Sequence, residues 1–101
     1  YGGQADRFVR FFRVPGMGHS RGGPATDQYD ALSALVDWVE RGVAPERIVA
    51  AARGAGNAGG VNADVPATWS VNRTRPLCPY PLVARYKSGD PELAASFACE
   101  R

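Results

Sequence analysis

The stretch Arg13-Val14-Pro15-Gly16-Met17-Gly18-His19-Ser20-Arg21-Gly22-Gly23 sets a proline and a cluster of glycines around the single histidine of the chain. Glycines admit positive φ and close backbone approach, so such a stretch can present an imidazole on a sharp loop instead of folding it into a core. A side chain that titrates near neutral pH in such a place is a candidate proton shuttle. On one side of the loop lies the apolar run Phe8, Val9, Phe11, Phe12 and Val14, and on the other a helical pattern. Strand, loop and helix is the order this predicts, and it places the chain in the α/β class.

The rest of the chain is read from periodicity and turn chemistry. Residues 8–14 are dominated by β-branched and aromatic side chains and end at Pro15, which predicts a strand buried on both faces. Tyr29, Leu32, Leu35, Val36 and Val39 recur at three- and four-residue spacing, opposite Asp37, Glu40 and Arg41. That spacing predicts an amphipathic helix over 27–41, capped by Thr26 or Asp27 and ended by Gly42 at C′. Trp38 on this helix reads as a packing ring. A short strand is expected at 47–51 and a half-buried edge strand at 69–73, where apolar and polar residues alternate. Residues 54–64 are mostly Gly, Asn and Ala and predict the least ordered internal segment. The proline-rich run 75–81 must be extended, and a last short helix is expected at 91–97 with Pro91 at its first position.

Composition limits the partners. The 101 residues carry a formal net charge of +2, with the charges scattered along the chain. There is no basic stripe and no zinc-finger spacing, so nothing suggests nucleic acid. No apolar run approaches the roughly 18 residues of a membrane span. Asp27, Asp30, Asp37, Asp64 and Asp90 lack ligand spacing and read as caps and solvated charges, and no phosphate, calcium or dinucleotide motif is present. Neither a metal nor a cofactor is expected.

Two residues compete for a chemical role. His19 reads either as a general base or as a polar residue in a surface turn. Gly18-His19-Ser20-Arg21-Gly22 also matches G-x-S-x-G, the nucleophile elbow of many lipases, which makes Ser20 an alternative nucleophile. Against the elbow, Gly23-Pro24-Ala25-Thr26 intervene before the helix, and no histidine follows Ser20 as the usual triad order requires.

Three linked motifs then carry a resemblance. They are Val14-Pro15-Gly16-Met17-Gly18-His19, then Asp30-Ala31-Leu32-Ser33-Ala34-Leu35-Val36-Asp37-Trp38-Val39 running on to Pro45, then Arg73-Thr74-Arg75-Pro76-Leu77-Cys78-Pro79-Tyr80-Pro81 running on to Tyr86. In order and spacing they resemble the C-terminal end of the tannase and feruloyl esterase family, over nearly the whole chain. The resemblance implies a secreted or periplasmic serine esterase of the α/β-hydrolase type, cleaving esters of aromatic (phenolic) acids through an acyl-enzyme, with His19 as the catalytic base. It implies that the nucleophilic serine and the triad aspartate lie upstream, so that residues 1–101 form the incomplete C-terminal portion of a catalytic domain. The partners it implies are a small aromatic ester and the upstream part of the same domain, or self-association in its absence. A free-standing small esterase using Ser20 and a non-catalytic assembly module are the alternatives. The family usually has cysteine where Ser20 stands, bridged to a cysteine beside the nucleophile, and this chain departs from that pattern. Cys78 and Cys99, a lone pair, read as a disulfide, and the resemblance implies one near the C-terminus.

Overall fold

Two antiparallel hairpin-like pairs organise the chain, whose computed structural model describes residues 2–101. Strand β1, Ile48–Ala51, pairs with β2, Thr74–Leu77, with Ala50 opposite Arg75. Strand β3, Val83–Tyr86, pairs with β4, Phe97–Glu100, with Ala84 opposite Cys99. The expected strand at 47–51 is therefore present as β1, where the β-branched Ile48 and Val49 suit a pleated surface. The disulfide joins the two sheets: Cys78 directly follows β2, Cys99 lies in β4, and their Cα atoms are 5.5 Å apart. Around this seam the buried residues are small, with Ala25, Ala50, Ala52, Leu77, Cys78 and Ala94 making the core.

Helix α1 spans Ala31–Arg41, shorter at its start than the pattern predicts. Its N-cap is Asp30, whose Oδ1 accepts the Ser33 backbone N–H at 2.9 Å while Oδ2 accepts the Ser33 hydroxyl at 2.6 Å. Neither Thr26 nor Asp27 serves as the cap. Gln28 is held extended by a bridge to Ala51, donating to its carbonyl at 3.1 Å and accepting from its N–H at 2.8 Å, so the helix cannot begin before it. Gly42 closes the other end at φ 69°, with its N–H on the Trp38 carbonyl, as its place in the pattern implies. No residue of α1 is buried, and Leu32 and Val39 are 70% and 75% exposed. Trp38 packs on the N-terminal segment, with the Arg10 guanidinium 4.9 Å from its ring centre.

Three further expectations fail for identifiable reasons. Residues 8–14 do not form a strand: the only ladder contact is the bridge between Phe12 and Pro79, and a proline cannot donate, so pairing shrinks to the Tyr80 N–H on the Phe11 carbonyl at 2.7 Å. Residues 69–73 are turns, with Trp69 N–H on the Pro66 carbonyl and Arg73 N–H on the Ser70 carbonyl, and the strand starts only at Thr74. The helix expected at 91–97 reduces to a 3₁₀ turn, Ala94–Ser96, because Phe97 onward is drawn into β4 by pairing with β3. Residues 54–64 contain no regular element, yet they are tied down by side chains: Asn62 is 6% exposed, and its amide donates to the Gly23 carbonyl at 2.9 Å. Composition there predicts little apolar burial, and the anchoring is polar instead.

Candidate functional site: the His19 loop

The backbone around His19 closes on itself. Gly18 N–H reaches the Gly22 carbonyl at 2.9 Å, and Met17 N–H the Val14 carbonyl at 3.2 Å. Gly23, at φ 77°, packs so closely that a Cβ there would collide with the Gly16 carbonyl oxygen, which is why this crossing needs glycine. His19 stands exposed on this loop, and Ser20 beside it is the one non-glycine residue with positive φ among those described, at 70°. His19 and Ser20 are thus neighbours at the tip.

The stem of the loop rests on an ion pair that the sequence pattern does not announce. Asp27, whose side chain is 0% exposed, meets Arg53, 8% exposed, in a two-pronged pair: Nε on Oδ1 at 2.9 Å and Nη2 on Oδ2 at 2.7 Å. The same Oδ2 accepts the Gly22 N–H at 2.7 Å. Hydrogen bonding from Arg53 holds the Asp27 carboxyl below the usual carboxylate range, burial working against it and the Gly22 N–H with it. Arg53 is pushed up in turn by its bond to Asp27. Its remaining Nη1 donates to the Gly60 carbonyl at 3.1 Å. A second carboxylate, that of Asp64, accepts the Gly23 N–H at 3.0 Å. Asp27 is therefore neither a helix cap nor a solvated charge, and Asp64 is a loop anchor. Spacing could not reveal either, since Asp27 and Arg53 are 26 residues apart in sequence.

Behind the loop lies a cleft of about 380 Å³ walled by Pro15, Gly16, Trp69, Arg75 and Phe97 among others, and His19 is not part of its lining. Arg73 forms a two-bond pair with Glu92, at 2.6 and 2.9 Å, and stacks 4.0 Å over the Trp69 ring. That bond lowers the Glu92 carboxyl. Burial, with the charge of Arg73, lowers the Arg75 guanidinium, which lies 4.3 Å over Phe97. These stacked arginines line one side of the cleft.

Residues 1–100 match the model of the tannase and feruloyl esterase family. The chain belongs to that family. It is 54% identical over 93 residues to mono(2-hydroxyethyl) terephthalate hydrolase of Piscinibacter sakaiensis, covering 91% of this chain and 14% of that protein. To a probable feruloyl esterase of Arthroderma benhamiae it is 39% identical over 102 residues, covering 99% of this chain and 17% of the relative. Among solved structures, feruloyl esterase B from Aspergillus oryzae superposes with a TM-score of 0.65 at 28% identity, over 98% of this chain and 20% of that one. An esterase from the same organism superposes at 0.70 with 31% identity, over 95% of this chain and 20% of the other. The chain thus spans a fifth or less of the length of these relatives. The disulfide expected between Cys78 and Cys99 is present.

Proposed function

We propose that this chain is the C-terminal portion of an α/β-hydrolase that cleaves carboxylic esters of aromatic acids through a serine acyl-enzyme, with His19 as the general base. The observation that carries this reading is an exposed imidazole on a loop whose stem is locked by buried polar bonds, in a chain that belongs to an esterase family. In the first half-reaction His19 removes the proton of the serine hydroxyl as its oxygen bonds to the ester carbonyl carbon. It returns that proton to the alkoxide as the carbonyl re-forms and the alcohol leaves. In the second half-reaction it takes a proton from water as the water oxygen bonds to the acyl carbon, and gives that proton to the serine oxygen as the acyl–serine bond breaks and the acid is released. The serine and the carboxylate that orients the imidazole belong, on this reading, to the upstream part of the domain. The names of the relatives, one a terephthalate monoester hydrolase and another a feruloyl esterase, support an aromatic acyl group. The Cys78–Cys99 bridge supports an oxidising compartment, secreted or periplasmic. The bare apolar face of α1 supports docking against the upstream part.

One observation favours the second reading, in which Ser20 is the nucleophile: its φ of 70° is a strained conformation of the kind stored at functional turns. Its context argues the other way, since the next helix begins only at Ala31 and the sole histidine is the adjacent residue. Turnover of an aromatic ester by the full-length hydrolase decides between them. His19→Ala should reduce kcat by about 1,000-fold or more, as loss of a triad member does, and Ser20→Ala should leave it nearly intact. The reverse ranking would assign the chemistry to Ser20.

A further inference from the structure

The bonds that close the backbone loop around His19 lead to one carboxylate. Gly18, which precedes the histidine, is tied to Gly22, and Gly22 donates to Asp27 Oδ2, the oxygen that also accepts from Arg53. Arg53 holds its own segment through the Gly60 carbonyl and through Asn62 N–H on the Arg53 carbonyl at 2.8 Å. Asn62 and Asp64 then return to grip Gly23 on its carbonyl and its N–H. We propose that Asp27 and Arg53 are positioning residues for His19, a polar strap, completed by Asn62 and Asp64, that fixes where the loop presents the imidazole. The inference rests on His19 being the catalytic base.

Stability alone is a poor reason for this arrangement. A buried ion pair costs nearly as much in desolvation as it returns in attraction, and an apolar pair of the same volume often does as well or better. An apolar pair could not accept the Gly22 N–H, whereas a carboxylate held by the Arg53 fork has its second lone pair aimed there. The charge on Asp27 shortens that bond to 2.7 Å and fixes its direction. Fixing direction matters for a proton-transfer group because a displacement of about 1 Å in a catalytic constellation can cost about 100-fold in rate.

The test compares Asp27→Asn, Arg53→Lys, Asp64→Ala and His19→Ala in the full-length hydrolase, with kcat, KM and thermal midpoint measured for each. Asp27→Asn and Arg53→Lys should lower kcat by about 100-fold with KM unchanged, a split that loss of substrate affinity would not give, while a retained thermal midpoint shows that the enzyme assayed is folded. Asp64 is exposed and leaves no buried charge behind, so Asp64→Ala should fold normally and lose about tenfold in kcat, which keeps the test decisive where Asp27→Asn fails to fold. Folded Arg53→Lys and Asp64→Ala enzymes with undiminished kcat, beside an inactive His19→Ala, would overturn the strap while leaving the base assignment standing. Full turnover in His19→Ala would overturn both.

Discussion

Helix α1 and the His19 loop with its 53–64 strap are opposites in how they are held. α1 is regular and capped at both ends, but buries no residue. The loop and strap contain no helix or strand, yet they enclose the buried Thr26, Arg53 and Asn62 and carry hydrogen bonds between segments some 40 residues apart, such as Gly23 to Asp64. Regular backbone and tertiary anchoring are therefore separate properties here. An 11-residue helix is marginal by itself in water, so α1 depends on caps until something covers its apolar stripe. The loop has no such dependence, because its partners lie within the chain.

Two glycines with similar positive φ measure that contrast most directly. Gly23 and Gly42 have φ of 77° and 69°, but a Cβ on Gly23 would strike the Gly16 carbonyl while a Cβ on Gly42 meets nothing within 4 Å. Gly42→Ala should cost only the left-handed penalty, about 1 kcal/mol. Gly23→Ala adds a backbone clash and should cost roughly 2–4 kcal/mol, with the Gly18 and Gly22 amides losing protection from exchange. Denaturant unfolding of the two variants ranks them. Equal losses would show that the loop is no tighter than the helix end.

What the sequence made legible follows the same division. The α1 periodicity, Gly42 and the apolar run of β1 are local signals, and each appears in the structure within a few residues of its expected place. The Asp27–Arg53 pair left no trace in periodicity, because its partners come from segments that only tertiary folding brings together. Asp27 was legible as a helix-start residue for a sound local reason, and Gln28 pairing with Ala51 overrode it. The tail departs from its local signals for a similar cause: Pro91 and the alanines after it favour a helical turn, but the ladder from Phe97 to Glu100 and the Cys78 bridge claim the rest. At the candidate site, the glycine setting marks the loop that carries His19, while the Asp27–Arg53 pair and the Asp64 anchor of that loop left no local signal.

Acid should separate the two regions next. The Asp27 and Asp30 carboxyls are both lowered, the first mainly by Arg53 and the second by Ser33. A carboxyl lowered in the folded state adds stability that is fully present above its unfolded value, about 3.9, and is lost as pH falls through the folded value. Asp27 is enclosed whereas Asp30 is exposed and screened, so the loop should lose more than the helix start. Backbone amide spectra recorded from about pH 5 downward should show Gly22 moving below about pH 4, with a larger loss of stability in wild type than in Asp27→Asn. An acid response that Asp27→Asn leaves untouched would place the sensitive carboxylate elsewhere.

The smallest effect is expected on α1 itself, and its size depends on what surrounds the helix. Val39 projects from the apolar stripe at 75% exposure, so Val39→Ala in the 101-residue chain removes methyl groups that are already in water. Unfolding should then shift by no more than about 0.5 kcal/mol, the range of ordinary surface changes. In the proposed full-length hydrolase the same stripe would have a cover in the upstream part, and burial of a valine side chain is worth about 1.5–3 kcal/mol. Val39→Ala should cost a sizeable part of that there, and the difference between the two measurements reads the contact directly. Equal small losses in both would show that the stripe faces solvent even in the longer protein. A large loss in the short chain would mean that α1 is already packed within it, and the contrast between helix and loop would fail.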